Sequence, residues 1–550
     1  MSSVSKVLKD DGARRHAISL HDRSILVEAG AGSGKTAVMA GRIAAMLAEG
    51  VAPRSIAAVT FTELAASELL SRVREFVADL SAGTIATELR VARPDGLSQT
   101  HRDNLAAASA AIDEITCSTI HGFCQRLIKP YPAEADIDPG AGVMDRNQAD
   151  LTFLEIVDGW LRERLSGGQG GILAELVLHS PGETVALIHK IAENIRRRPT
   201  LTAPPVSPLG GHLTAFRQAT ADFANFMDGT AAAEPETVTL VERLAEMATA
   251  VANGPDPATP AGLVRLLTAR PHPDLCTKTG AFASYRKKGK WAATAKQAGL
   301  SKADGDRLND AAETHYTACC DAWVELAQAV AGHALAALID EARPILQRYR
   351  DHKRASAQLD FDDLIFAARD LLRDHDAVRQ ALGQRFAHVL VDEFQDTDPL
   401  QTEIFWRLCG EPVDGDDDWT RFQIRPGALF LVGDPKQAIY RFRGADVGAY
   451  VQARDAFRVQ NPDSLLSIST NFRSCASILT FVNERFEAVL SADGQPGFTA
   501  LDPFHDDRSG LCVAALDIAV ADENGKASAE QQRDAEERAW LREAAESRRF

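Results

Sequence analysis

SILVEAGAGSGKT, residues 24–36, decides the fold. Residues 24–29 are a short apolar run, Gly30, Gly32 and Gly34 follow at alternate positions, and residues 37–48 carry a helical pattern. A strand that enters a glycine-rich turn and leaves it as a helix is the setting a phosphate-binding loop requires. Glycines let backbone N–H groups approach phosphate oxygens, and the helix N-terminus adds positive partial charge. On this reading Ala29, Gly30, Ala31, Gly32, Ser33 and Gly34 form the cradle. Lys35 reaches the β/γ-phosphates and the Thr36 hydroxyl ligates Mg²⁺. Ala29 stands where the strict pattern has glycine, a position that asks only for a small residue. A glycine-rich turn without a ligand is the plainer alternative, and the flanking strand and helix speak against it.

Such a loop needs an acidic partner on a neighbouring strand, and VLVDEFQDT, residues 389–397, supplies one. Asp392 is placed to hold Mg²⁺ and Glu393 to orient or deprotonate an attacking water. Two carboxylates at the end of a buried strand are costly unless a cation or ligand uses them. Asp396 is expected to cap the helix that begins near Thr397.

Similar apolar runs recur at 56–61, 114–120, 388–392, 428–433 and 465–470, each followed by a helical pattern. Continuous apolar strands alternating with helices predict an α/β fold with a parallel sheet covered on both faces. Between 129 and 355 the alternation stops, and 3.6-residue periodicity, as over 322–349, predicts a helical insertion between strands of one sheet. Residues 411–420, EPVDGDDDWT, suggest an exposed acidic loop, and residues 529–550 a charged helical tail.

The 550 residues allow several domains, and 45% hydrophobic with 25% charged residues is an ordinary globular balance. The N-terminus has no signal-like apolar run and no stretch reaches roughly 18 apolar residues, so a cytoplasmic protein with no membrane partner is expected. Eight cysteines without a C-x-x-C pair suit buried thiols in a reducing compartment and argue against a zinc ribbon. The formal charge of −17 is not what a passive nucleic-acid coat would carry, but net charge by itself decides nothing. Binding through phosphates needs only local basic clusters, and those at 196–198, 285–291 and 343–354 read first as solvated faces.

LFLVGDPKQAIYRFRGAD, residues 429–446, is the second unusual stretch. Gln437 follows the strand end Gly433 by four residues, close enough to sense a γ-phosphate in the same crevice. Tyr440, Phe442 and Arg443 then offer stacking faces and a cation, the means by which single strands are bound without regard to sequence. A phosphate sensor beside a base platform would couple hydrolysis to movement on DNA. An aromatic core helix is the plainer alternative.

Taken together, the blocks resemble the superfamily 1 helicases of the UvrD/Rep type, and among them the AddA/RecB helicase–nucleases. The resemblance rests on AGAGSGKT (29–36), TFTELAASELLSR (60–72), STIHGFC (118–124), LDFDDL (359–364), VDEFQDTDPLQ (391–401), GDPKQAIYRFRGAD (433–446) and STNFRS (469–474). It implies a RecA-like motor domain from 1–128 and 356–455, a helical insertion subdomain at 129–355, and the beginning of a second RecA-like domain at 456–550. It also implies that Phe61, Thr62, Ser118, Thr119 and His121 contact the translocating strand alongside Tyr440, Phe442 and Arg443. Arg473 would reach the γ-phosphate, and Phe472 would stack on adenine. The family's adenine-reading Gln has no counterpart in DDGARRHAISLHDR, residues 10–23, which leaves base preference open. Neither the family's later blocks nor a nuclease domain follows, so the chain is expected to be the N-terminal part of a longer enzyme.

The function so implied is an ATP- and Mg²⁺-dependent 3′–5′ DNA helicase or translocase of repair or recombination. It would act on single-stranded or tailed duplex DNA, together with a partner helicase–nuclease subunit. An ATP-binding, DNA-binding switch without unwinding is the alternative. A P-loop kinase or transporter ATPase would leave Gln437 and the aromatic cluster without a purpose.

Overall fold

In the computed structural model of the protein, which describes residues 8–90, 92, 96–168, 170–198, 201–439, 447–492, 495, 497–507 and 512–513, the apolar runs pair into one sheet. Its strands are β1 (Ile25–Ala29), β2 (Ile56–Thr60), β3 (Thr116–Thr119), β4 (His388–Val391), β5 (Leu429–Gly433) and β6 (Leu465–Ile468). They lie in the order β6-β1-β5-β4-β2-β3, and every pairing is parallel. Every residue of β2 and β5 is buried, as strands covered on both faces must be. Parallel pairing carries all the strand ends to one edge, so residues far apart in sequence meet there.

The chain divides into two units, 1–139 with 361–550, and 140–360. In the first, the helix after β1, α2 (Lys35–Ala48), is buried all round from Ala37 to Ala48. Its one charged residue in that span, Arg42, donates to the carbonyls of Ala17 and Arg23 at 2.8 and 3.1 Å and lies over the Phe430 ring. Burial pulls the Arg42 guanidinium down to about 9, and the two carbonyls keep its donors satisfied. α1 (Asp11–Ser19) precedes β1, and α3 (Glu63–Ser81) follows β2.

Three expectations change at this level. The run expected at 465–470 splits, because its first half pairs with β1 as β6 while Thr470–Cys475 forms β7 in a separate pair with β8 (Asp502–His505). The sheet that starts at β1 therefore extends past 455 to Ile468. The helical unit is bounded at 140–360 rather than 129–355. The acidic stretch 411–420 is largely exposed, but it is tethered: Gly410–Glu411 pairs antiparallel with Gln423–Ile424, and Arg407 Nη1 donates to Asp417 Oδ1 at 2.8 Å. The tail at 529–550 lies outside the described residues.

The second unit is helical, with a core that includes Phe153, Trp160, Phe216, Phe223, Trp291 and Trp323. Its longest helix, Lys302–Ala355, has 54 residues and is started by a Ser301/Asp304 capping box. One 18-residue window of this helix is apolar enough to cross a membrane, contrary to the sequence expectation. A third of that window is buried, and the helix's buried side chains, Leu326, Val330, Ala334 and Leu338 among them, belong to the unit's core. Near its end, Tyr349 Oη and Lys353 Nζ donate to the buried Asp360 carboxylate at 2.8 and 2.9 Å, which gives the LDFDDL block a structural reason.

Candidate nucleotide and DNA site

The glycine-rich turn leaves β1 at Ala29 and returns as α2. Gly32 and Gly34 have φ of 68° and 82°, in the left-handed region that a side chain disfavours. Three consecutive carbonyls of the turn are tied down from outside. Asn471 Nδ2 donates to Ala31 O at 2.6 Å, the Phe472 N–H to Gly32 O at 2.8 Å, and Arg14 Nη1 to Ser33 O at 2.9 Å. The first amides of α2 have no carbonyl within the helix to bond, and a helix start after such a turn is where an anion binds. The Ser33 hydroxyl is buried and lacks a hydrogen-bond partner, an orphan polar atom of the kind a ligand resolves.

The acid pair lies at the end of β4. Lys35 Nζ sits 2.7 Å from Glu393 Oε2. Glu393 adopts φ 50° and ψ 43°, an uncommon conformation for a residue with a side chain, and its N–H donates to Asp392 Oδ1 at 2.9 Å. Burial, then the neighbouring Glu393 charge, push the Asp392 carboxyl up to about 6, against the opposing pull of Lys35. A buried carboxylate beside a hydroxyl-bearing helix start fits a divalent cation, which would relieve that penalty, so Asp392 and Thr36 are the residues that would hold Mg²⁺.

Gln395 completes the constellation. Its Nε2 donates to Glu393 Oε2 at 2.7 Å, while its Oε1 accepts the Asp434 N–H at 2.8 Å. Asp434 in turn accepts from Gln437 Nε2 at 2.8 Å, so Gln437 is held beside the acid pair from the end of β5. A Cβ on Gly433 would lie 2.8 Å from Gln395 Oε1, which explains the glycine at that strand end. Asp396 is not the helix cap that was expected. Asp398 caps Pro399–Cys409 by accepting the Gln401 N–H at 2.8 Å, because Pro399 fixes the first helical position. Asp396 keeps a buried oxygen without a partner, and burial followed by the Glu393 charge pushes its carboxyl up to about 6.

The residues expected to touch DNA fall at the ends of β2 and β3. Phe61 follows β2 directly and is 37% exposed. Thr62 and Thr119 each cap a helix, accepting the Ala65 and Gly122 N–H groups, and Thr119 also donates to Glu63 at 2.8 Å. Ser118 is buried with an unpartnered hydroxyl. His121 packs edge-on against Phe361 at 5.0 Å, and burial pulls its imidazole below the usual value. Phe472 and Arg473 lie on β7 against the turn, where a Cβ on Gly32 would meet the Arg473 Cβ at 2.8 Å. Tyr440, Phe442 and Arg443 lie outside the described residues.

A sequence model of the UvrD/REP helicase N-terminal domain matches residues 11–458. The chain belongs to that family. Among curated relatives, an ATP-dependent helicase/nuclease subunit of Lactococcus lactis subsp. lactis is 25% identical over 511 residues, 87% of this chain and 40% of that protein. The exonuclease/helicase subunit RexA of Lactococcus lactis subsp. cremoris is 24% identical over 515 residues, with the same two shares of 87% and 40%. The ATP-dependent helicase/nuclease subunit of Moorella thermoacetica is 28% identical over 521 residues, 86% of this chain and 34% of that protein. The chain spans about two fifths or less of the length of these relatives. UvrD/REP membership accounts for the parallel α/β, RecA-like sheet.

Within this helicase domain, sequence reasoning missed Asp10, Arg14, Gln395, Asp434 and Asn471. Gln395 and Asn471 sat inside recognised blocks, so their neighbourhood was marked although their roles were not. Asp10 and Arg14 stand four residues apart, a spacing the sequence shows, but what they hold, Thr470, is 456 positions from Arg14.

Proposed function

We propose that this chain is the ATP-binding motor portion of a 3′–5′ DNA helicase or translocase acting in repair or recombination, with cytoplasmic DNA carrying a single-stranded tail as its substrate. The observation that supports it most is the chain of contacts from Lys35 to Glu393 and on through Gln395 and Asp434 to Gln437, at the sheet edge where the strand before Phe61 and the strand carrying Ser118 also end. The polarity rests on the family resemblance. The names of the relatives support a multi-subunit helicase–nuclease, the assembly in which the chain works.

The residues act in sequence. ATP draws Lys35 from Glu393 to its β/γ-phosphates. Glu393, held by Gln395 through its N–H donor, is then free to orient the attacking water. Thr36 and Asp392 would hold Mg²⁺, which neutralises charge developing on the phosphoryl oxygens. Gln437 reports the γ-phosphate to the segment that follows it, and Arg473 faces the same phosphate from β7. Phe472 offers a ring to the base.

Unwinding of duplexes carrying a 3′ or a 5′ single-stranded tail, with ATP turnover followed in parallel, tests this reading. ATP turnover stimulated by single strands and unwinding confined to 3′ tails are expected. Nucleotide-dependent changes in DNA affinity with no turnover would favour the switch instead.

A further inference from the structure

The N-terminal helix carries a buried pair that the nucleotide-site residues do not explain. Asp10 Oδ1 and Oδ2 accept from Arg14 Nε and Nη2, both at 3.0 Å, and the two side chains are 4% and 9% exposed. Asp10 also accepts the N–H groups of Ser469 and Thr470 at 3.0 and 2.9 Å and the Thr470 hydroxyl at 2.7 Å. Burial alone would push its carboxyl up; the hydrogen bonds from Arg14 and Thr470 outweigh it and hold it below the usual range. Arg14 spends its other donors on Ser33 O at 2.9 Å and Thr470 O at 3.2 Å, and lies over the Phe472 ring at 5.0 Å. One ion pair thus joins three parts of the chain: the start of α1, the phosphate-binding turn, and the junction of β6 with β7.

That junction matters because it sets where β7 begins. Arg473 lies three residues past Thr470, with its Cβ already against the turn. A buried, bidentate pair with its oxygens satisfied has a single geometry, so it fixes direction as well as distance. If it only stabilised the fold, an apolar pair would serve as well, without the desolvation of two charges.

We infer that Asp10 and Arg14 are positioning residues of the nucleotide site, clamping the β6–β7 junction onto the phosphate-binding turn so that Arg473 faces the γ-phosphate. The inference rests on the nucleotide-site reading above. Arg14 also explains how the site manages with a guanidinium in the stretch that lacks the family's Gln: its donors go to protein carbonyls and a carboxylate, and its flat face goes to Phe472.

The test is equilibrium binding of fluorescent Mg·ATP-analogue and ADP to the whole chain, with melting temperature measured on each variant. D10N is expected to weaken the ATP analogue about tenfold and ADP less than about threefold, because only the γ-phosphate contact depends on the junction. In an R473A background D10N should add nothing. Equal loss of both nucleotides in step with a lower melting temperature, or wild-type affinity for both, overturns the clamp. If D10N does not fold, T470V, which removes a single hydroxyl donor to Asp10, gives the same comparison. K35A separates the two readings: if it binds nucleotide as wild type, the nucleotide site itself is wrong. If K35A loses binding while D10N and T470V do not, only the clamp fails.

Discussion

Lys35 Nζ and Glu393 Oε2 lie 2.7 Å apart, although 358 positions separate the two residues in the chain. The contact joins the first residue of α2 to the residue after Asp392, across the ends of β1 and β4. Each group has a task that excludes the other. Lysine is needed on phosphate and glutamate on water, so the pair must part when nucleotide enters. Its side chains are 11% and 35% exposed, so Glu393 is the more open of the two to water.

Replacing Lys35 with Ala is expected to abolish nucleotide binding and turnover while leaving the sheet intact. Calorimetry with Mg·ATP reports the first, and the melting temperature reports the second. Wild-type, DNA-stimulated ATP turnover in the variant would sink the assignment.

E393Q should behave oppositely. The amide still meets Gln395 but cannot deprotonate water, so Mg·ATP binding persists while turnover falls about 10²–10⁴-fold. Loss of binding in step with turnover would show that Glu393 supports the turn rather than the reaction.

The acid pair predicts a pH dependence. Asp392 has a folded value of about 6, raised from 3.8 chiefly by burial, so the folded state holds a proton that the unfolded state has released between those values. Stability without metal should therefore fall as pH rises from about 4 to 6 and stay low above that window. D392N should weaken this dependence and raise the metal-free melting temperature at pH 7.5. It should also abolish Mg²⁺-dependent nucleotide affinity. Asp396, pushed up to about 6 in the same way, adds to the window, so D392N should flatten the profile only in part. A metal-free profile that rises from pH 4 to 6 would contradict the burial argument.

Gln395 is 2% exposed and bridges Glu393 to the Asp434 backbone. Q395A strands a buried N–H and frees Glu393, and should cost about 1–3 kcal/mol in stability together with a fall in turnover. Denaturant titration and single-turnover hydrolysis check the two parts. Full turnover in a destabilised variant would reduce Gln395 to a packing role.

Phe61 is exposed at the end of β2, so F61A should leave the melting temperature unchanged. It should weaken single-stranded DNA binding by about 1–3 kcal/mol without regard to base sequence. Fluorescence anisotropy with two unrelated oligonucleotides measures this. A lower melting temperature with unchanged DNA affinity would make Phe61 a core residue.

What the sequence determined by itself was local chemistry with a fixed spacing. Residues 24–36 carry strand, turn and helix within one stretch, and alternating glycines with Lys35 and Thr36 have one strong reading as a phosphate cradle. Residues 389–397 likewise show Asp392 and Glu393 at the end of an apolar run, and the recurrence of such runs sufficed for a parallel sheet. What only the tertiary structure decided was which of these groups meet and which side chains hold them. β6 joined β1 rather than opening a second sheet, since strand order is set by pairing across the fold and leaves no periodic mark in the chain. Asp398 rather than Asp396 became the cap, since a one-residue choice turns on Pro399 and on backbone geometry. The clamp of Asp10 and Arg14 on Thr470 was beyond sequence reading for the same reason: hydrogen bonds between residues about 460 positions apart are made by the packing of strands, not by any property of the residues between them.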